Sequence, residues 1–169
     1  MSDRVLPQGN TYEEIYGRFR WSVPASFNIG VDICDRHAGD RSRVALVYED
    51  EAGRVSEYTF AELRARSNQL ANALRRLGVE RGDRVGVVLS QRPELTVFHI
   101  AVYKLGAIVL PLATLFGHQA LEHRMRDAGV RVAVTDADTL ECVLGVRATY
   151  PDLEQIACIE KVDADRVLD

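Results

Sequence analysis

Between Thr59 and Asp136 the chain alternates between two hydrophobic periods, and this alternation limits the fold more than any other feature. Thr59–Leu77, TFAELRARSNQLANALRRL, places Phe60, Leu63, Leu70, Ala71, Leu74 and Leu77 on one helical face. Thr59 and Glu62 have the T-x-x-E spacing of a capping box. The hydroxyl accepts from a first-turn amide and the carboxylate reaches back to the cap amide. Glu62 and Arg66 form an i,i+4 pair, and Gly78 stands where a residue past the helix end needs positive φ. Arg84–Leu89, RVGVVL, follows the turn ERGD and is apolar enough for a parallel strand covered on both faces. Pro93 suits the first position of a helix. That helix runs to about Leu105 and is apolar nearly all round, so it should be covered on more than one side. AIVL predicts the next strand, with Pro111 as its stop. Gln119–Asp127 predicts a helix carrying a Glu122–Arg126 pair and ended by Gly129. VRVAVTD and QIACIE predict two further strands. Strand, helix, strand, helix, strand in this order implies right-handed crossovers and a mostly parallel sheet with helices on both faces, an α/β fold.

Upstream, VALVYED and RVSEYTF flank Glu51-Ala52-Gly53 and predict a β-hairpin near the start. Asn28–His37 has the pattern of a short helix. Residues 1–30 show neither period and read as an irregular extension, with Tyr12, Tyr16, Phe19, Trp21 and Phe27 expected to pack along a larger body. Residues 31–169 then form a partial α/β subdomain. The tail EKVDADRVLD carries no stop signal of its own.

Composition excludes several classes. The formal net charge of −4 argues against a nucleic-acid partner, which calls for a basic excess or stripe. No window approaches the ~20 apolar residues of a membrane span, and the first residues lack the apolar core of a secretory signal. Cys34, Cys142 and Cys158 are odd in number and widely spaced, which fits reduced thiols and a cytoplasmic setting.

The candidate chemical groups are few. Ser90 stands at the carboxyl end of a predicted strand, where open α/β sheets place ligands, but SQRPE is neither a glycine-rich phosphate loop nor a G-x-S-x-G elbow. Cys34 and His37 are three apart and His118 and His123 five apart; neither pair supplies a zinc ligand set. His99 reads as a core or rim histidine, and Glu49-Asp50-Glu51 as a solvated hairpin tip. Lys104, in a last helical turn, favours the negative end of the helix dipole. Gly106, between a helix and a strand, is expected to be a left-handed helix cap rather than a phosphate contact. These residues thus give no catalytic, cofactor-binding or metal residue.

Two stretches together, YTFAELRARSNQLANALRRLGVERGDRVGVVL and YKLGAIVLPLATLFG, resemble the opening of AMP-forming adenylating enzymes. YTFAEL is similar to the first core motif of that superfamily and KLGAIVLPL to its second. Leu105 and Ala113 depart from it, at positions where Ala and Asn or Asp are common. The leader RFRWSVPASFNIGVDICDRHA and the segment TLFGHQALEHRMRDAGVRVAVTD resemble the medium-chain type of acyl-CoA synthetase. The resemblance covers about residues 12–160 and implies the incomplete N-terminal part of the adenylate-forming fold. By resemblance, the whole enzyme would use ATP and Mg²⁺ to convert a carboxylic acid to an acyl-adenylate, then transfer the acyl group to CoA. The phosphate loop ending in Pro-Lys-Gly, the aromatic-Thr-Glu motif, the ribose-binding Asp and the lid lysine have no counterpart here. Neither Lys104 nor Lys161 maps to that lysine. The implied picture is therefore a fragment that is inactive alone, takes no cofactor itself, and has an exposed sheet edge able to self-associate or pair with the remainder. The alternative from another class is a free-standing α/β interaction or regulatory module.

Overall fold

The computed structural model describes residues 6–22 and 24–161. A two-stranded hairpin pairs β1 (Val44–Glu49) with β2 (Val55–Thr59) antiparallel, Glu49 opposite Val55. Asp50 fixes its turn: Oδ1 accepts from the Ala52 and Arg54 amides, both at 2.9 Å. Thr59 then caps α3 (Phe60–Arg76), which follows α1 (Tyr12–Arg18) and α2 (Ile29–Ile33) in chain order. The capping box forms in full, with the Glu62 amide donating to Thr59 Oγ1 (3.2 Å) and the Thr59 amide to Glu62 Oε2 (2.8 Å). Because Glu62 faces its cap, Arg66 lies instead over the Tyr58 ring, 5.1 Å from its centroid.

The main sheet holds β3 (Arg84–Val88), β4 (Ile108–Leu112), β5 (Val132–Thr135) and β6 (Gln155–Cys158), all parallel, in the order β4-β3-β5-β6. Helices α4 (Pro93–Leu105), α5 (His118–Ala128) and α6 (Leu140–Thr149) make the crossovers. Each face of the sheet has its own core. Val85 and Val87 of β3 and Val132 and Val134 of β5 pack with Leu74 of α3 and Phe98 and Val102 of α4. Val88 and Ala133 turn the other way, toward Leu121 and Met125 of α5 and Val143 and Val146 of α6. Alternate residues of a strand face opposite sides, so the continuous apolar run of β3 serves both layers. A third cluster, with Cys34, Leu63, Val97 and Ile100, lies beneath the hairpin.

Three sequence expectations change. Pro111 does not stop β4 but lies inside it, opposite Val87. The strand is at the sheet edge, where a missing amide costs no ladder bond. Helix α6 was not expected at all. The leader, patternless in sequence, contains α1, which Thr11 caps and which buries no residue. Its aromatics meet one another: Tyr12 and Tyr16 stack at 5.6 Å, and Phe19 and Trp21 meet edge-on at 5.0 Å. The tail beyond Lys161 lies outside the described residues. Among the described residues no helix is long and apolar enough to cross a membrane.

Candidate functional site

In an open parallel sheet, ligands gather outside the carboxyl ends of the strands, where the strand order reverses. Here β3 leads to β4 on one side, and β4 leads back across to β5 on the other, so the reversal lies between β3 and β5. The loops that meet there are Leu89–Arg92 and Asp136–Thr139. A carboxylate fills the junction. Asp136, 3% exposed, accepts from the Ser90 amide (3.3 Å), the Thr139 amide (3.1 Å) and the Thr139 hydroxyl (2.6 Å). Thr135 Oγ1 lies 2.6 Å from Thr139 Oγ1 and extends the network into the sheet. Burial on its own pushes the Asp136 carboxyl up. The Thr139 hydroxyl and the Ser90 and Thr139 amides outweigh it and hold the group below the ordinary carboxylate range.

A second set of contacts ties the neighbouring loops together. Arg92 Nε donates to Glu94 Oε2 (2.9 Å) and its Nη1 to Glu160 Oε1 (2.6 Å), while Glu160 Oε2 accepts from the Ala137 amide (2.8 Å). Beside this knot, between the ends of β3 and β4, lies a recess of about 300 Å³ lined by Leu89, Ser90, Leu95, Ala113, Thr114 and Leu115. Leu115 is 94% exposed. The lining carries no charge.

A nucleotide phosphate needs free amides or free cations. At this edge the Ser90, Thr139 and Ala137 amides face carboxylates, and Arg92 faces two of them. Glu94 also occupies the first turn of α4, where an anion would otherwise be favoured. The residues at the switch point therefore do not fit a nucleotide phosphate.

The other candidates are separated. Ser90 is at the strand end as expected, and acts there through its amide. Cys34 Sγ faces the Phe60 carbonyl (3.7 Å), and burial pushes its thiol up; His37 Nδ1 instead meets Arg43 (3.1 Å). His118 lies 3.9 Å from Glu122, which also pairs with Arg126 at 2.8 Å. Among the described residues no three His, Cys, Asp or Glu side chains converge on a point that a metal could share. Lys104 does more than complement a dipole: it contacts Asp35, Ser67 and Asn68. Gly106 caps α4 at φ 70° and ψ 18°. It precedes β4, so it lies at the amino edge of the sheet, opposite the ligand edge. Sequence reading missed Asp136, Thr139, Arg92 and Glu160. The D-x-x-T spacing of Asp136 and Thr139, a local side-chain-to-amide pattern, was the available signal.

Fold and site edge together define an α/β subdomain whose own switch point is closed by a carboxylate. The family model for AMP-binding enzymes matches residues 34–169, and the chain belongs to that family. It is 37% identical over 142 residues to an acetyl-coenzyme A synthetase of Bacillus subtilis, covering 77% of this chain and 25% of that protein. It is 37% identical over 118 residues to a 3-hydroxypropionyl-coenzyme A synthetase of Sulfurisphaera tokodaii, covering 69% and 18%. Among solved structures, a Brucella canis acyl-CoA synthetase superposes with a TM-score of 0.82 at 27% identity, covering 94% of this chain and 30% of that one. An anthranilate CoA ligase in complex with anthranoyl-AMP superposes with a TM-score of 0.69 at 29% identity, covering 81% and 26%. The chain thus spans a quarter or less of the length of these two curated relatives. It matches the N-terminal part of an adenylate-forming enzyme of the acyl-CoA synthetase kind, and the α/β expectation with its hairpin holds.

Proposed function

We propose that this chain is the N-terminal portion of an ATP-dependent acid–CoA ligase and has no ligase activity by itself. The observation that carries the reading is the family match over residues 34–169, combined with a switch point whose amides and arginine already face carboxylates. In the whole enzyme, ATP, Mg²⁺ and CoA would act on groups outside this chain. The chain would supply the scaffold and part of the walls around the carboxylic acid. The finer reading, a medium-chain or aryl acid handled in the cytoplasm, rests on the resemblance of the leader. The test is carboxylate-dependent ATP–pyrophosphate exchange by the purified 169-residue chain, with acetate, octanoate and benzoate as acids. The expected result is none; exchange above the protein-free rate overturns the claim of inactivity. The reading frame beyond Asp169 tests the ligase assignment separately: a Ser/Thr/Gly-rich loop ending in Pro-Lys-Gly supports it, and its absence counts against it.

The separate cores on both faces of the main sheet favour a second reading, a module that folds and acts on its own. Hydrogen exchange on the isolated chain separates the two. Cooperative protection across β3 and β5 supports the module; a loosely protected, dye-binding state supports the fragment.

A further inference from the structure

The polar contacts of residues 6–22 stay within that segment. Glu14 accepts from the Asn10 amide (2.9 Å), Arg18 donates to the Gln8 carbonyl (3.0 Å), and Arg20 donates to the Gly17 and Phe19 carbonyls (2.9 and 2.7 Å). The chain is tied to the helix layer only further on, where Asn28 Nδ2 donates to the Lys104 carbonyl (3.1 Å). Yet this leader concentrates apolar surface. Leu6, Tyr12, Tyr16 and Trp21 are 61%, 71%, 69% and 82% exposed, although the aromatic rings already meet one another. Tyr12 and Tyr16 are one turn apart and share a face of α1. Charge is sorted by sign along the same segment. Glu13 and Glu14 stand in the first turn, Arg18 ends the helix, and Arg20 lies two residues beyond. No ion pair joins any of these four to another described residue.

We propose that the leader is a homodimer interface. In it, α1 packs antiparallel on α1 of a second copy about a two-fold axis. Tyr12 and Tyr16 of both copies fill the centre, and Glu13 of each copy stands opposite Arg20 of the other. Charge selects this occupant. A surface with acids at one end and arginines at the other complements itself when reversed, and a two-fold axis reverses it. A parallel pair would set like charges together. A wholly basic or wholly acidic partner would satisfy one end and leave the other unpaired. Area sets the strength. An aromatic side chain buries about 150–250 Å², so the exposed parts of the three rings and Leu6 offer on the order of 1,000 Å² over two copies. That is the low end of specific interfaces, where association is transient. The expected dissociation constant is on the order of 10–100 μM. Such a dimer requires nothing of the ligase reading, because it concerns the surface of this chain alone.

The test is sedimentation equilibrium of the 169-residue chain from about 5 to 500 μM at low ionic strength, where exposed charges are least screened. Trp21 is the only tryptophan, so its emission reports on the leader and should shift to the blue as the dimer forms. Glu13→Lys and Arg20→Glu change exposed side chains and leave every core cluster untouched. Each variant alone sets two like-charge pairs across the axis and should weaken association at least about tenfold. An equal mixture of the two restores two opposite-charge pairs and should associate within about threefold of the wild type. A wild-type chain that stays monomeric throughout, with unchanged Trp21 emission, overturns the proposal; the surface would then serve a different partner. Variants that associate as tightly as the wild type also overturn it, placing the contact elsewhere, as on the exposed Val47 and Val55 of the hairpin. So does a mixture that associates no better than either variant alone.

Discussion

Lys104 Nζ sits 2.7 Å from Asp35 Oδ1, with the lysine side chain only 9% exposed. The same ammonium donates to Ser67 Oγ (2.9 Å) and Asn68 Oδ1 (2.7 Å). One charge thus joins the turn after α2 to α3 and α4. A buried charge with three partners is destabilising to remove from one side only, because its counter-ion stays behind unpaired. Lys104→Met is expected to lower stability by about 2–4 kcal/mol, read from urea unfolding. Asp35→Asn in the Lys104→Met background should recover much of that loss. A double-mutant cycle with no coupling between the two positions would show that the ion pair does not hold these elements together.

Packing at the same junction depends on a missing side chain. A Cβ on Gly30 would stand 2.7 Å from Lys104 Cγ and 2.9 Å from the Ile100 carbonyl oxygen. A flexible lysine can yield, but the helix backbone cannot without moving α2 off α4. Gly30→Ala should therefore cost about 1–3 kcal/mol. Gly17, in exposed α1 with open space around it, is the matched control. There alanine should be neutral or stabilise by up to about 1 kcal/mol through helix propensity. Urea midpoints moving in the same direction for both variants would contradict the packing argument.

At Gly106 the conformation itself is tested. The residue has φ 70°, and an added Cβ would meet Arg81 Cγ at 3.2 Å. Gly106→Ala should cost about 1–2 kcal/mol for the left-handed backbone alone. Asparagine, which tolerates that region better, should cost less than alanine. If alanine and asparagine prove equally harmful, steric contact with Arg81 rather than backbone conformation sets the cost.

The elements that could be read from sequence are those whose signals are local. The Thr59–Glu62 box, the Gly106 and Gly129 caps and the apolar run of β3 each declare themselves within a few residues. Helix α6 was hidden because Gly145 interrupts it, and the reason for that glycine is remote: a Cβ there would stand 2.9 Å from His118 Cδ2 on α5. Pro111 misled because its tolerance depends on β4 being an edge, a property of strand order rather than of β4. The site was less legible still. Asp136 reads as a loop acid until the Ser90 amide, 46 residues away, is brought against it. Lys104 reads as a dipole complement until Asp35 and Ser67 arrive from two other elements.

Asp136 gives the prediction with a pH signature. Its carboxyl is held below the ordinary range, so the folded chain binds that proton less tightly than the unfolded chain. Stability from this group is therefore fully present above the unfolded value, about 3.9. It is lost as pH falls below that value through the depressed folded one. Asp136→Asn keeps the shape but removes the charge that the Thr139 hydroxyl and the two amides address, and should cost about 1–3 kcal/mol at pH 7. Other carboxylates also contribute to acid unfolding, so the informative quantity is the difference between wild type and variant. That difference should be constant from pH 7 to about 5 and shrink below about pH 4, as the wild-type carboxylate takes up its proton. Thr139→Val removes the shortest donor, so its acid transition should begin at higher pH than that of the wild type. A wild-type-minus-variant difference that stays flat down to pH 2.5 would mean that Asp136 carries no charge-dependent load at the junction of β3 and β5.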